Sequence, residues 1–273
     1  MAKFKDRSSL KQYLTLNSIK RGIKLWEICD SVTGYTYDMN IYAGKDLNTD
    51  GKTLGERVVL QLCLTIRNPD VTLALDRFFT SENLIDNIDF PAVGTCISTR
   101  RNMPKFRSGV KLAKGESEFF QNRNGTLATR WQDSKEVIVL SNFHLPDITT
   151  VERTQRDGKK EKTERPVAIA DYNKIVGGVD VSDQKVSQYD FDRKSTKWWK
   201  KVFYKHFMTA VVNAYILFQE SKQRKIPLLQ FIVPLSEAMM MEGKENATAK
   251  RKRTSRPSNA SQLILNVGDH LLV

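Results

Sequence analysis

Apolar residues follow two periods along this chain, and the alternation between them outlines the elements. Ile23–Cys29 (IKLWEIC) and Tyr35–Tyr42 (YTYDMNIY) alternate at a period of two around the turn-like Asp30–Gly34, which predicts an antiparallel hairpin. Asp46–Lys52 is polar and reads as a loop. Leu54, Val58, Val59, Leu62 and Ile66 then fall at helical spacing, with Glu56 and Arg57 on the other side, so an amphipathic helix is expected over 54–66. Val71–Leu75 is a short β-branched run that delivers Asp76 at its end, the way α/β folds often present a site. Thr80 or Ser81 caps a following helix through Ile88, and Ala92–Ser98 predicts another strand.

From Met103 to Arg165 the pattern changes. Short β-like runs, Glu118–Gln121, Thr126–Trp131 and Glu136–Leu140, are separated by Gly, Asn and Asp turns, which predicts a small all-β insertion. Glu152–Arg165 holds charge and no apolar residue, the composition of an exposed hairpin tip or a mobile loop. Gly177–Gly178 marks a break, and Val179–Tyr189 has helical spacing with Asp180 and Asp183 on one face. Two readings stay open for these acids: solvated helix-start residues, or ligands of a divalent cation. Lys197–Glu220 is the strongest helix, with Trp199, Phe203, Phe207, Ala210, Val211, Ala214, Leu217 and Phe218 as an apolar stripe expected in the core. Ile226–Met241 is interrupted by proline, and Glu242–Pro257 reads as a flexible tail.

Charge adds a partner to this outline. The 273 residues carry a net +13 with a pI near 9.6, and 40% hydrophobic residues suffice for a core. Residues 1–24, 100–114, 193–205 and 244–256 together net +23, so the rest of the chain nets −10. Basic strips on an acidic body suit a gripped phosphate backbone, with double-stranded DNA ahead of a membrane surface. Arg100, Arg101 and Lys105 in the second strip, and Lys197, Lys201 and Lys205 along one side of the long helix, are the candidate DNA contacts; solvated charge is the competing reading. Lys250–Arg253 (KRKR) is a candidate nuclear localisation signal or nucleic-acid tether. Cys29, Cys63 and Cys96 stand singly with no histidine at ligand spacing, so no zinc site is expected, and reduced thiols of an intracellular protein are. No apolar run approaches the roughly 20 residues of a transmembrane helix.

Five stretches taken in order, KQYLTLNSIKRGIKLWEICDSVTGYTYDMNIYAGK, LALDRFFTSENL, VGTCISTRRNMP, DYNKIVGGVDVSDQ and KWWKKVFYKHFMTAVVNAYILF, resemble the DDE domain of piggyBac-type transposases and their domesticated relatives. The likeness covers residues 1 to 218. It implies an α/β, RNase H-like core, as in retroviral integrases, interrupted by a β-rich insertion and followed by a helical segment that binds DNA and dimerises, so a homodimer is compatible with it. The implied divisions are 1–102 and 166–190 for the core, 103–165 for the insertion, 191–241 for the helical segment and 242–273 for a basic tail.

By this resemblance Asp76 matches the family's second catalytic aspartate, Asp180 the third, and Asp183 a further acid beside it; Arg77 stands where the family usually has Asn. These would be ligands of two Mg²⁺ (or Mn²⁺) ions about 3.5–4 Å apart that activate a water or 3′-hydroxyl and stabilise the leaving oxygen. The family's first aspartate lies just ahead of a segment like Met1–Arg7, and Asp6 does not align with it; at the other end GDHLLV resembles the lead-in to a Cys-rich finger. The resemblance therefore implies truncation at both ends and a sheet with an unpaired edge. One lost carboxylate leaves too little charge to hold two dications, so DNA excision and joining are expected to be absent. A non-catalytic DNA-binding protein derived from the transposase, or a partial gene product without a selected role, is the alternative to an ancestral cut-and-paste enzyme. A nuclear location follows from either DNA-binding reading.

Overall fold

The computed structural model describes residues 1–15, 18–44, 51–106, 112–154, 158, 160–189 and 193–251. Two compact units divide it, Met1–Ile216 and Leu217–Val273.

In the first unit, β1 (Ala2–Lys3), β2 (Lys11–Tyr13) and β3 (Arg21–Ile23) form a small antiparallel sheet with β3 in the middle. The predicted hairpin follows as β4 (Leu25–Cys29) and β5 (Thr36–Ile41), with Leu25 opposite Ile41. Helix α1 (Leu54–Cys63) starts at a capping box: the Thr53 hydroxyl accepts from the Glu56 N–H and the Glu56 carboxylate accepts from the Thr53 N–H. Its predicted stripe is the one that is buried, Val58, Val59 and Leu62.

Strand β6 (Leu73–Leu75) runs parallel to β7 (Ala92–Cys96), with α2 (Glu82–Asn87) between them capped by Ser81. The β-like runs of the 103–165 segment become β8 (Ser117–Gln121), β9 (Leu127–Gln132) and β10 (Glu136–Ser141). They do not build a sheet of their own. β10 pairs antiparallel with β7, Leu140 opposite Gly94, giving one five-stranded sheet in the order β6-β7-β10-β9-β8. Alternation along β7 and β10 sends Ala92, Cys96, Ile138 and Leu140 to one face, where they pack with Val59, Leu84 and Ile85. Val93 and Val139 point the other way, onto Ala168, Ile169 and Tyr172 of α3 (Val167–Ile175). The result is an α/β unit with helices on both faces of a mixed sheet.

The charged stretch Glu152–Arg165 belongs to a second hairpin, β11 (Ile148–Thr154) with β12 (Lys160–Pro166), seven pairs long. After α3 the glycine pair divides its labour. Gly177 adopts φ 119°, a left-handed conformation that ends one helix and begins the next. Gly178 opens α4 (Gly178–Gln188) so close to β4 that a Cβ there would lie 2.6 Å from the Asp30 carbonyl oxygen.

Helix α5 (Trp198–Lys222) corrects the expected stripe. Of that stripe Val211 is buried, but Trp199 is 51% and Phe203 58% exposed, while Val202, Met208, Thr209, Val212 and Ile216 are buried instead. The helix is apolar nearly all round, so its spacing did not select one face. A second correction concerns the tail: α6 (Leu228–Arg251) passes through Pro234 and continues over Glu242–Arg251, and Glu242–Ala247 are exposed, so Glu, Lys and Ala hold that stretch helical by propensity. The remainder of the expected tail, with Lys252 and Arg253 of the KRKR tract, falls outside the described residues.

Candidate nucleic-acid interface and acidic site

Asp76 stands where the sequence placed an acid, at the C-terminal end of β6 directly after buried Leu75, and it is exposed. Its carbonyl accepts from the N–H groups of Phe79 and Thr80, and its Oδ1 accepts from the Arg77 N–H at 2.5 Å, so a tight turn carries it. Arg100 fixes that turn from the side, one guanidinium nitrogen donating to the carbonyls of Arg77 at 2.8 Å and Phe78 at 2.7 Å. Phe78 stacks on Trp26 with centroids 5.3 Å apart, and the Lys24 ammonium lies 3.8 Å from the Trp26 ring centroid. Burial pushes the Lys24 ammonium below its ordinary pKa, and the charge of Asp76 offsets part of that. Tyr172 on α3 is pushed up by burial, with the Asp76 charge adding to the shift and its hydrogen bond with Thr95 opposing it. Asp76 therefore has a lysine and a tyrosine as its electrostatic neighbours.

Asp180 and Asp183 sit elsewhere, on α4. The helix is pinned to the β4–β5 turn: Lys185 donates to the Thr33 carbonyl at 2.7 Å, and the Ser182 and Thr36 hydroxyls are 3.0 Å apart. Asn213 of α5 closes the corner, accepting from the Thr36 N–H and donating to the Thr36 carbonyl. Asp180 is exposed in the first turn of α4, whereas Asp183 forms an ion pair with Lys205 of α5. Beneath that pair lies Glu27 of β4, a residue the sequence reading passed over. Burial raises its carboxyl pKa, Lys205 opposes the shift and Asp183 adds to it. Its Oε2 is shielded from solvent with no hydrogen-bond partner among the described residues. The signal was present in IKLWEIC, an acid in the alternating run of a strand. Cys29 on the same strand face is pushed up to about 11 by burial, which leaves a protonated, inert thiol.

Among the described residues, no three His, Cys, Asp or Glu side chains converge closely enough to hold a metal ion. Asp183 has an ammonium as its partner and Asp76 answers to its own turn, so Asp76, Asp180 and Asp183 as arranged do not fit a two-ion ligand set. The six basic candidates also separate. Arg100 braces the Asp76 turn, Lys205 pairs with Asp183, and the Lys201 ammonium donates to the Arg193 carbonyl. Arg101, Lys105 and Lys197 are exposed, as are Arg193 and Lys194 just ahead of α5. The cysteines are free thiols, and no helix among the described residues is long and apolar enough to cross a membrane.

Residues 1–215 match the family model described as Transposase IS4, a DDE transposase domain. The human PiggyBac transposable element-derived protein 3 is 28% identical over 245 residues, which are 85% of this chain and 41% of that protein. The human chimeric ERCC6-PGBD3 protein is 28% identical over the same length, 23% of its own. Among solved structures, the cryo-EM structure of a piggyBac transposase synaptic complex with hairpin DNA shares the fold at a TM-score of 0.71 and 24% identity, covering 97% of this chain and 54% of that one. The chain thus spans less than half the length of these curated relatives and about half of that solved transposase.

Proposed function

From the premise that the chain belongs to the Transposase IS4 family of DDE domains, we propose that it is a piggyBac-derived, nuclear protein that binds double-stranded DNA through its basic strips and does not by itself cut or join strands. The observation that carries the reading is the contrast in its charged groups. Arg101, Lys105, Arg193, Lys194 and Lys197 are exposed, whereas the acids are scattered and one is neutralised by Lys205. Exposed cations in the segment after β7 and in the segment ahead of α5 can reach phosphates and release their counterions, which needs no metal. The solved transposase with the shared fold, which is held on hairpin DNA, supports the same partner. An RNase H-like identity for the core is supported by the parallel β6–β7 pair with Asp76 at its C-terminal end.

Anisotropy titration of a labelled duplex tests it. Log affinity is expected to fall linearly with log salt, and Arg101→Ala, Lys105→Ala and Lys197→Ala together are expected to flatten that slope by about 2.7 units for three phosphate contacts. Affinity that is indifferent to salt, or a transposon-end substrate cleaved with Mg²⁺ or Mn²⁺, would overturn the proposal.

A further inference from the structure

The turn that carries Asp76 also holds an aromatic ring out to solvent. Phe78 is 41% exposed although it lies in a group of packed rings. One of its faces is laid on the buried indole of Trp26, with centroids 5.3 Å apart and planes 20° from parallel, and Trp26 in turn packs with Val58 and Leu62 of α1. Neither of the other close neighbours covers the second face. Phe79 meets both rings at a steep angle, 5.2 Å from Phe78 and 5.4 Å from Trp26, and a ring equally near to both flanks the pair and does not cap it. The Lys24 ammonium is 3.8 Å from the Trp26 centroid and 4.7 Å from that of Phe78, which places it beside Phe78 on the same side of the indole. The exposure of Phe78 is thus that of its outer face.

That face is held still. The Phe78 carbonyl accepts from Arg100 at 2.7 Å, and the Asp76 carbonyl accepts from the N–H groups of Phe79 and Thr80, so the turn is braced on both sides of the ring. A side chain fixed in advance loses little entropy when something stacks on it. The rim of the platform is charged. Lys24, the exposed Arg77, and Arg100 with the exposed Arg101 stand against Asp76, which leaves a positive excess around the ring. An apolar side chain of a protein partner would desolvate those cations without pairing them. A nucleotide brings a flat π-face with a phosphate on either side of it, and cations around an aromatic ring meet both. Inside a duplex the faces of each base are covered by its neighbours, so the base that fits is an unpaired one.

We propose that the outer face of Phe78 is a stacking platform for one unpaired base of a DNA strand, with Lys24 and Arg77 as the cations nearest its phosphates. The inference rests on the DNA-binding reading, and its test separates the two. The intact chain is titrated by anisotropy with a blunt duplex and with the same duplex extended at one 3′ end by four unpaired nucleotides, one of them 5-iodouracil. Tighter binding of the extended duplex by about tenfold is expected, in the range for one base on an aromatic ring, and irradiation is expected to cross-link the iodouracil to the peptide that holds Phe78. Phe78→Leu keeps apolar bulk over Trp26 and removes the π-face; it is expected to lose most of the preference and the cross-link while blunt-duplex affinity stays as it was. Phe78→Tyr keeps the ring and is expected to retain both. Equal affinity for the two duplexes, or a preference that survives Phe78→Leu, overturns the platform and leaves DNA binding standing. Failure of both duplexes to bind overturns both. Thymidine monophosphate that blocks the cross-link at the same concentration as the extended strand overturns the strand assignment in favour of a soluble nucleotide.

Discussion

Two glutamates withdrawn from solvent, Glu56 on α1 and Glu27 on β4, have opposite fates. Glu56 is 4% exposed, and burial alone would raise its pKa, but the Ser81 hydroxyl at 2.5 Å, the Thr53 N–H at 2.8 Å and the Asn83 amide hold it below the ordinary value. Glu27 keeps one oxygen unpartnered, and its carboxyl is raised by burial, with Lys205 only partly opposing the shift. Donors, rather than depth, decide which buried acid is stable as a carboxylate. The first corner ties α1 to the start of α2 in the core under Asp76. The second ties α4 to β4 and α5 and takes Asp183 into its charge balance.

Four substitutions test this contrast. The largest effect is expected from Gly178→Val, which forces a side chain against the Asp30 carbonyl and lifts α4 from the second corner: a loss of about 3 kcal/mol in chemical unfolding, roughly the upper range for overpacking. Glu56→Ala removes three hydrogen bonds at the first corner and is expected to cost about 2 kcal/mol. Because the folded pKa of Glu56 lies below its unfolded value, its contribution is present above the ordinary carboxylate range and lost as pH falls through the depressed value. The variant should therefore lose less stability than the parent on acidification.

Lys205→Met is expected to cost about 1 kcal/mol by calorimetry, since Asp183 is 44% exposed and water screens its pairing while Glu27 loses its main cation. Glu27→Gln is the smallest effect and has the opposite sign. The raised folded pKa means that the parent is most stable below the unfolded carboxylate pKa and loses stability as pH rises through the raised value. The amide removes that decline, so a gain of under about 1 kcal/mol at neutral pH, absent at acidic pH, is expected. A Glu27→Gln variant less stable than the parent at neutral pH would show that the carboxylate finds donors in solution.

Most of the candidate site was legible as positions and little of it as an arrangement. Asp76 after VTLAL, the Ser81 cap and the break at Gly177–Gly178 all follow from local rules, in which a strand end, an N-cap and a positive φ each have a residue signature. The engagement of Asp183 by Lys205, and the brace that Arg100 puts on the Asp76 turn, each join residues 22 or more apart in sequence and leave no such trace. The six basic residues looked alike as a list; three of them turned out to be structural.

Periodicity, turn chemistry and charge in the sequence determined the elements of this protein, the acids at their ends and the basic strips, because each is written within a few residues. Tertiary packing set the extension by β8–β10 of the sheet begun by β6 and β7, the outward face of Trp199 and Phe203, and the meeting of the Arg165 guanidinium with the Trp131 ring. Strand order, the choice of face on a helix apolar all round, and the convergence of distant donors depend on what packs against what, and no local pattern encodes that.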